Sequence, residues 1–179
     1  MKADAPISRP PQSYMDLIEP LIEQAKHLLE SGEKLHPIAF VDNLTTKQII
    51  AVLIQPNSEQ SKDQSAAEIK ASAMSIEADF VFTIMEAWSL RPDKLAQTNA
   101  IMDKYGSIGA SPYAIDTCSF MLESHRGAWF AQPQIKPKGI SKKKRTIGSV
   151  EFRFFSEVQG RFVQLLPLKD GEEKPSILH

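Results

Sequence analysis

Cysteine is almost missing from this chain. Cys118 is the only one in 179 residues, which excludes an internal disulfide framework and fits a reducing compartment. No run of about 18 apolar residues occurs, so no membrane-spanning helix is expected. The opening residues, Met1-Lys2-Ala3-Asp4-Ala5-Pro6, lack the apolar stretch of a secretory signal, and a cytoplasmic location is the expectation. A surplus of charge is missing as well. With 21 Lys and Arg against 22 Asp and Glu, the net charge is −1, whereas a dedicated nucleic-acid or membrane-surface binder carries a basic excess.

The signatures of common chemistries are also missing. The four histidines, His27, His36, His125 and His179, form no HxxxH or HxH pair, so neither a metal nor a cofactor is implied. No P-loop and no GxSxG elbow is present. Gly106-Ser107-Ile108-Gly109 has the spelling of an RNA-clamping GXXG loop, but no basic residue lies within it and a proline follows closely.

What remains is apolar patterning. Phe80-Val81-Phe82-Thr83-Ile84-Met85 is apolar, β-branched or aromatic on both strand faces, as a central strand requires. Met15, Ile18, Leu21, Ile22, Ala25, Leu28 and Leu29 recur at helical spacing. They predict a helix from a Ser13 cap, with Asp16 completing a capping box, to Gly32. Pro20 interrupts the hydrogen bonding of this helix but not the phase of its stripe. Residues 38–41 and 48–55 read as strands, the second again apolar on both faces. A helix over about 62–77 follows, opened by a capping box of Ser61 and Gln64. A third helical segment begins at Arg91-Pro92 and stops at Gly106.

From Thr117 the chain reads as a strand meander. His125-Arg126-Gly127 is expected as a three-residue hairpin turn that sets Glu123 opposite Trp129. A second hairpin would join 150–157 to 161–166 around Gly160. The expected fold is α+β: a single, largely antiparallel sheet of about six to seven strands with two or three helices packed on it. Residues 13–167 form its one domain, between a flexible arm (1–12) and a polar tail (168–179). The first two helices are expected on one sheet face. The other face needs the third helix or a second copy of the chain, and a homodimer is one expectation.

Three clusters carry chemistry. Glu86 shares a strand face with Phe80, Phe82 and Ile84, where desolvation would suit a carboxylate to acid–base work; the alternative is pairing with an arginine. Trp88 lies two residues further on. Glu123, His125 and Trp129 form the second cluster, and with Glu86 they would give a Glu/Glu/His acid–base or metal site. The third is the basic stretch 136–145, with Lys142, Lys143, Lys144 and Arg145, suited to phosphates but without aromatic residues in the loop itself.

The reading these features favour is a small, non-enzymatic protein acting through an unidentified protein partner or self-association. The alternatives are a hydrolase or lyase using Glu86, Glu123 and His125, and nucleic-acid binding through 136–145.

Overall fold

The computed structural model describes residues 8–167. The elements are α1 (Gln12–Ser31), β1 (Ile38–Asn43), β2 (Gln48–Leu53), α2 (Glu59–Ser75) and β3 (Phe80–Leu90). A 3₁₀ segment (Pro92–Gln97) follows, then α3 (Thr98–Tyr105), β4 (Ala114–Ser124), β5 (Gly127–Ala131), β6 (Ile135–Pro137), β7 (Arg145–Ile147) and β8 (Arg153–Phe155). The fold is α+β. Six strands form an antiparallel sheet in the order β2-β1-β3-β4-β5-β8, and β6 with β7 forms a separate two-stranded ribbon.

β3 lies inside the sheet, as its two-sided apolarity demands. Phe82 pairs with Phe40 on one side and Leu122 on the other. Strand alternation then sends Phe80, Phe82 and Ile84 to one face and Val81 to the other. On the first face α1 buries Met15, Ile18, Ile22, Ala25 and Leu29 against Phe80, Phe82, Phe120, Leu122 and Trp129. Each buried phenylalanine there contributes about 2–3 kcal/mol. Pro20 sits on the exposed side of α1, which runs through it.

The first two helices do not share a face, contrary to expectation. Ala66, Ile69 and Ala73 of α2 pack on Ala39, Val41, Val52 and Val81, on the face opposite α1. The topology explains this. β2 and β3 both run antiparallel to β1, hence parallel to each other, so α2 is the crossover between them. Such a crossover has one favoured hand, which assigns α2 to one face and leaves the other to α1. α3 does not cover the sheet; Ile101 is its one buried side chain.

Other boundaries also shift. α1 starts at Gln12 behind Pro11 with no side-chain cap, so Ser13 and Asp16 form no capping box. α2 is capped earlier than expected: Ser58 Oγ accepts from the Ser61 amide and Ser61 Oγ from the Ser58 amide. The β4–β5 turn has two residues, because Ser124 pairs with Gly127. Glu123 therefore faces Ala128, and Leu122 faces Trp129. A one-residue change of register moves a side chain to the other face, and Trp129 joins the α1 core.

Residues 161–166 form no strand. β8 pairs with β5 instead, and the later segment crosses the α2 face with Leu165 buried beside Val81 and Ile69. Arg161 holds it there through Glu59 and Asp63 of α2. Of the arm expected over 1–12, residues 8–11 are described. Ser8 donates to Phe152 O at 2.9 Å and Arg9 to Glu19 at 2.8 Å. The rest of that arm and the expected tail 168–179 lie outside the described residues.

Candidate functional site

Glu86 follows the last fully apolar turn of β3 and keeps its face, opposite Cys118 on β4. Arg145 of β7 meets it in a fork: Nη1 donates to Oε2 at 2.7 Å and Nη2 to Oε1 at 2.8 Å. This bidentate geometry is the strong form of the pair, and the carboxylate holds the Arg145 pKa above its ordinary value. Beneath it, burial pushes the Cys118 thiol up to about 12, with Glu86 adding to the rise. A thiol so placed is not a nucleophile at neutral pH.

The β6–β7 ribbon is fastened at a second point. Glu30 of α1 accepts from Lys138 Nζ at 2.6 Å and from Thr146 Oγ1 at 2.7 Å, and these bonds lower its pKa. Two basic residues of 136–145 thus anchor the ribbon to the body. Beyond the anchors Lys143 passes close to Gly32, where an added Cβ would lie 3.3 Å from the Lys143 Cβ. Lys142, Lys143 and Lys144 are exposed, and Ile140 is fully so.

Trp88 lies two residues beyond Glu86 on the same strand, opposite Asp116, and is 62% exposed. Its indole rests on Gly109, where an added Cβ would lie 2.6 Å from the ring. The glycine-containing 106–112 loop therefore serves as a floor for an indole. The Glu86–Arg145 pair thus joins the base of the basic stretch to the strand that carries Trp88.

The second cluster forms elsewhere. Glu123 pairs with Val81, on the α2 face and five strand residues from Glu86, roughly 16 Å along the sheet. It is buried, and burial pushes its pKa up to about 7 against the lowering effect of the Leu165, Leu166 and Gln164 amides. Oε1 accepts from the Leu165 amide at 2.9 Å, while Oε2 has no hydrogen-bond partner among the described residues. His125 is in the turn, its Nε2 3.2 Å from Ala78 O. Trp129 is buried between Tyr14 and Phe154. Glu86 and Glu123 thus face opposite sides of the sheet, and no Glu/Glu/His constellation assembles. Among the described residues no three His, Cys, Asp or Glu side chains converge as metal ligands.

One region was not singled out from the sequence. β2 is an edge strand, although its apolar pattern reads as an inner one. Ile49 and Leu53 are each 56% exposed on the α1 side of the sheet. Ile54 donates to Pro37 O at 2.9 Å, so by alternation the backbone groups of Ile50 and Val52 also turn toward β1. Those of Ile49, Ala51 and Leu53 turn outward, toward the open edge. Beside this edge lies a groove of about 500 Å³ between α1 and β1–β2, lined by Leu21, Leu28, His36, Ile38, Phe40 and Leu53 among others. The signal for this region was present in the run 49–54, whose outer side this chain leaves unburied.

No protein-family model, no curated protein and no solved structure matches this chain. No helix among the described residues is long and apolar enough to cross a membrane.

Proposed function

We propose that this protein works by self-association, pairing β2 with β2 of a second copy. The observation that carries the reading is the open edge Gln48–Leu53, which has no charge and no proline and presents outward backbone groups at Ile49, Ala51 and Leu53. Edges that are meant to stay solitary are blunted by charge, proline or shortness.

The strand is also complementary to itself. A twofold axis through Ala51 sets Ala51 against Ala51 of the second copy and Ile49 against its Leu53. The outward groups then exchange about six hydrogen bonds. Because the axis stands perpendicular to the sheet, the α1 faces of both copies lie on one side. The grooves beside Leu53 meet there, and four half-exposed side chains lose water, for about 1 kcal/mol each.

Light scattering coupled to size exclusion tests this. The wild-type protein is expected to run as a dimer at micromolar concentration, and Ile49→Lys with Leu53→Lys as a monomer with an unchanged circular dichroism spectrum. A wild-type monomer at the highest attainable concentration overturns the reading. A second observation would support an enzyme only if acidic groups converged, and Glu86 and Glu123 do not.

A further inference from the structure

We propose, independently of self-association, that the Trp88 end of the α1 face binds single-stranded nucleic acid. A base would stack on the Trp88 indole and Lys142, Lys143 and Lys144 would take the phosphates. Proteins that bind single strands without sequence readout combine a basic track with an aromatic platform, because every base has a π-face and every nucleotide a charge. The basic stretch has no aromatic residue of its own. The fold brings one to it.

The connection is through Glu86. Arg145 at the base of the ribbon is bonded to Glu86 in a fork, and Trp88 follows Glu86 by two residues on the same strand face, about 7 Å. Lys144 adjoins Arg145 in sequence. Platform and lysines therefore lie within the span of a short oligonucleotide.

Each part is prepared for a ligand rather than for the core. Trp88 is 62% exposed, while the other tryptophan, Trp129, is buried. Gly109 beneath the ring leaves no room for a side chain: an added Cβ would be 2.6 Å from it. The indole is thus backed on one side and open elsewhere. Stacking on a ring already held flat loses little side-chain freedom.

Charge is concentrated in the same place. Six of the 21 basic residues fall between Lys136 and Arg145, and none of the 22 acidic ones does. Lys138 and Arg145 are engaged by Glu30 and Glu86, leaving Lys142, Lys143 and Lys144 exposed for phosphates. Glu86 is neutralised by its arginine. Asp116 pairs with Trp88 across the strands, and its charge opposes an anionic ligand only at short range in water. Ile140, fully exposed at the tip, adds an apolar contact.

An indole platform selects unstacked bases over a duplex, whose π-faces are covered. The test is titration of the full chain with a fluorescent dT and a fluorescent rU 12-mer at low ionic strength, following both anisotropy and tryptophan emission. Binding should quench emission in wild type and not in Trp88→Phe. Trp88→Ala should weaken binding about ten-fold. With three phosphate contacts the plot of log K against log salt should have a slope of about −2. The triple change Lys142→Ala, Lys143→Ala, Lys144→Ala should flatten it.

All these positions are exposed, so unfolding midpoints should match the wild type and separate lost binding from lost folding. No binding of either oligonucleotide at low salt overturns the proposal. So does binding that Trp88→Ala leaves unchanged, or equal affinity for a duplex of the same length. Binding of anionic vesicles in place of oligonucleotides, dependent on Ile140, would assign the tip to a membrane surface and likewise overturn it.

Discussion

At one edge of the main sheet β2 runs six residues, Gln48–Leu53, with no charge and no proline. At the other, β8 runs three, Arg153–Phe155, and begins on an arginine. The flank of β8 is also covered: Ser8 donates to Phe152 O just before the strand. Gly127 of β5 lets β8 approach so closely that a Cβ there would lie 2.5 Å from Phe155 O. The two edges face the same solvent, and only one carries the devices that keep strands from pairing. The other edge keeps its outward backbone groups open. This difference is what supports β2 as the strand of the proposed self-association.

The largest way to break this contrast is Gly127→Val. Gly127 holds φ at +134° and its added side chain would strike the Phe154 ring as well as Phe155 O. Dislodging β8 should cost about 2–4 kcal/mol in urea unfolding. It should also expose β5 as a second open edge, seen as species larger than a dimer. If Gly127→Val unfolds like the wild type and keeps its mass, the protected edge does not depend on this close approach.

The next effect comes from Glu123, which accepts from the Leu165 amide on the α2 face. Its folded pKa of about 7 lies above its ordinary 4.5, so the folded state binds the proton more tightly. That contribution is complete below about pH 4.5 and is lost as pH rises through 7. Unfolding free energy should therefore fall across this window, by about 3 kcal/mol in all. Glu123→Gln, which stays neutral, should remove that fall. Parallel pH profiles for the two proteins would show that the buried carboxylate is not the titrating group.

The smallest effect on the fold belongs to Ile49→Lys with Leu53→Lys. Both side chains are more than half exposed, so unfolding of the separated chain should change by under about 0.5 kcal/mol. The mass in solution should nevertheless halve. A large loss of stability instead would mean that these residues serve the chain's own core.

Much of this architecture was legible in local pattern. The run 80–85 identifies the central strand, and the spacing from Met15 to Leu29 identifies α1. Features set by distant partners were not legible. The position of β2 at an edge depends on which strand β1 chooses next, and its two-sided apolarity reports burial without saying what buries it. The register at Trp129 turns on one residue of loop length, since Gly127 serves the approach of β8 rather than the turn. Residues 161–166 alternate like a strand, yet Arg161 reaches Glu59 across 102 residues and Leu165 finds Glu123. At the candidate sites, the pairing of Glu86 with an arginine was one of two readings. Its partner lies 59 residues away.

The most direct test of β2 pairing is residue-resolved amide exchange followed over a dilution series. Ile50 and Val52 donate toward β1 within the chain and should stay protected at every concentration. Ile49, Ala51 and Leu53 face the open edge and should be protected only where the protein is assembled, losing protection together on dilution. Protection of Ile49, Ala51 and Leu53 that is absent at all concentrations, in a protein that remains dimeric, would contradict the account and move the interface elsewhere.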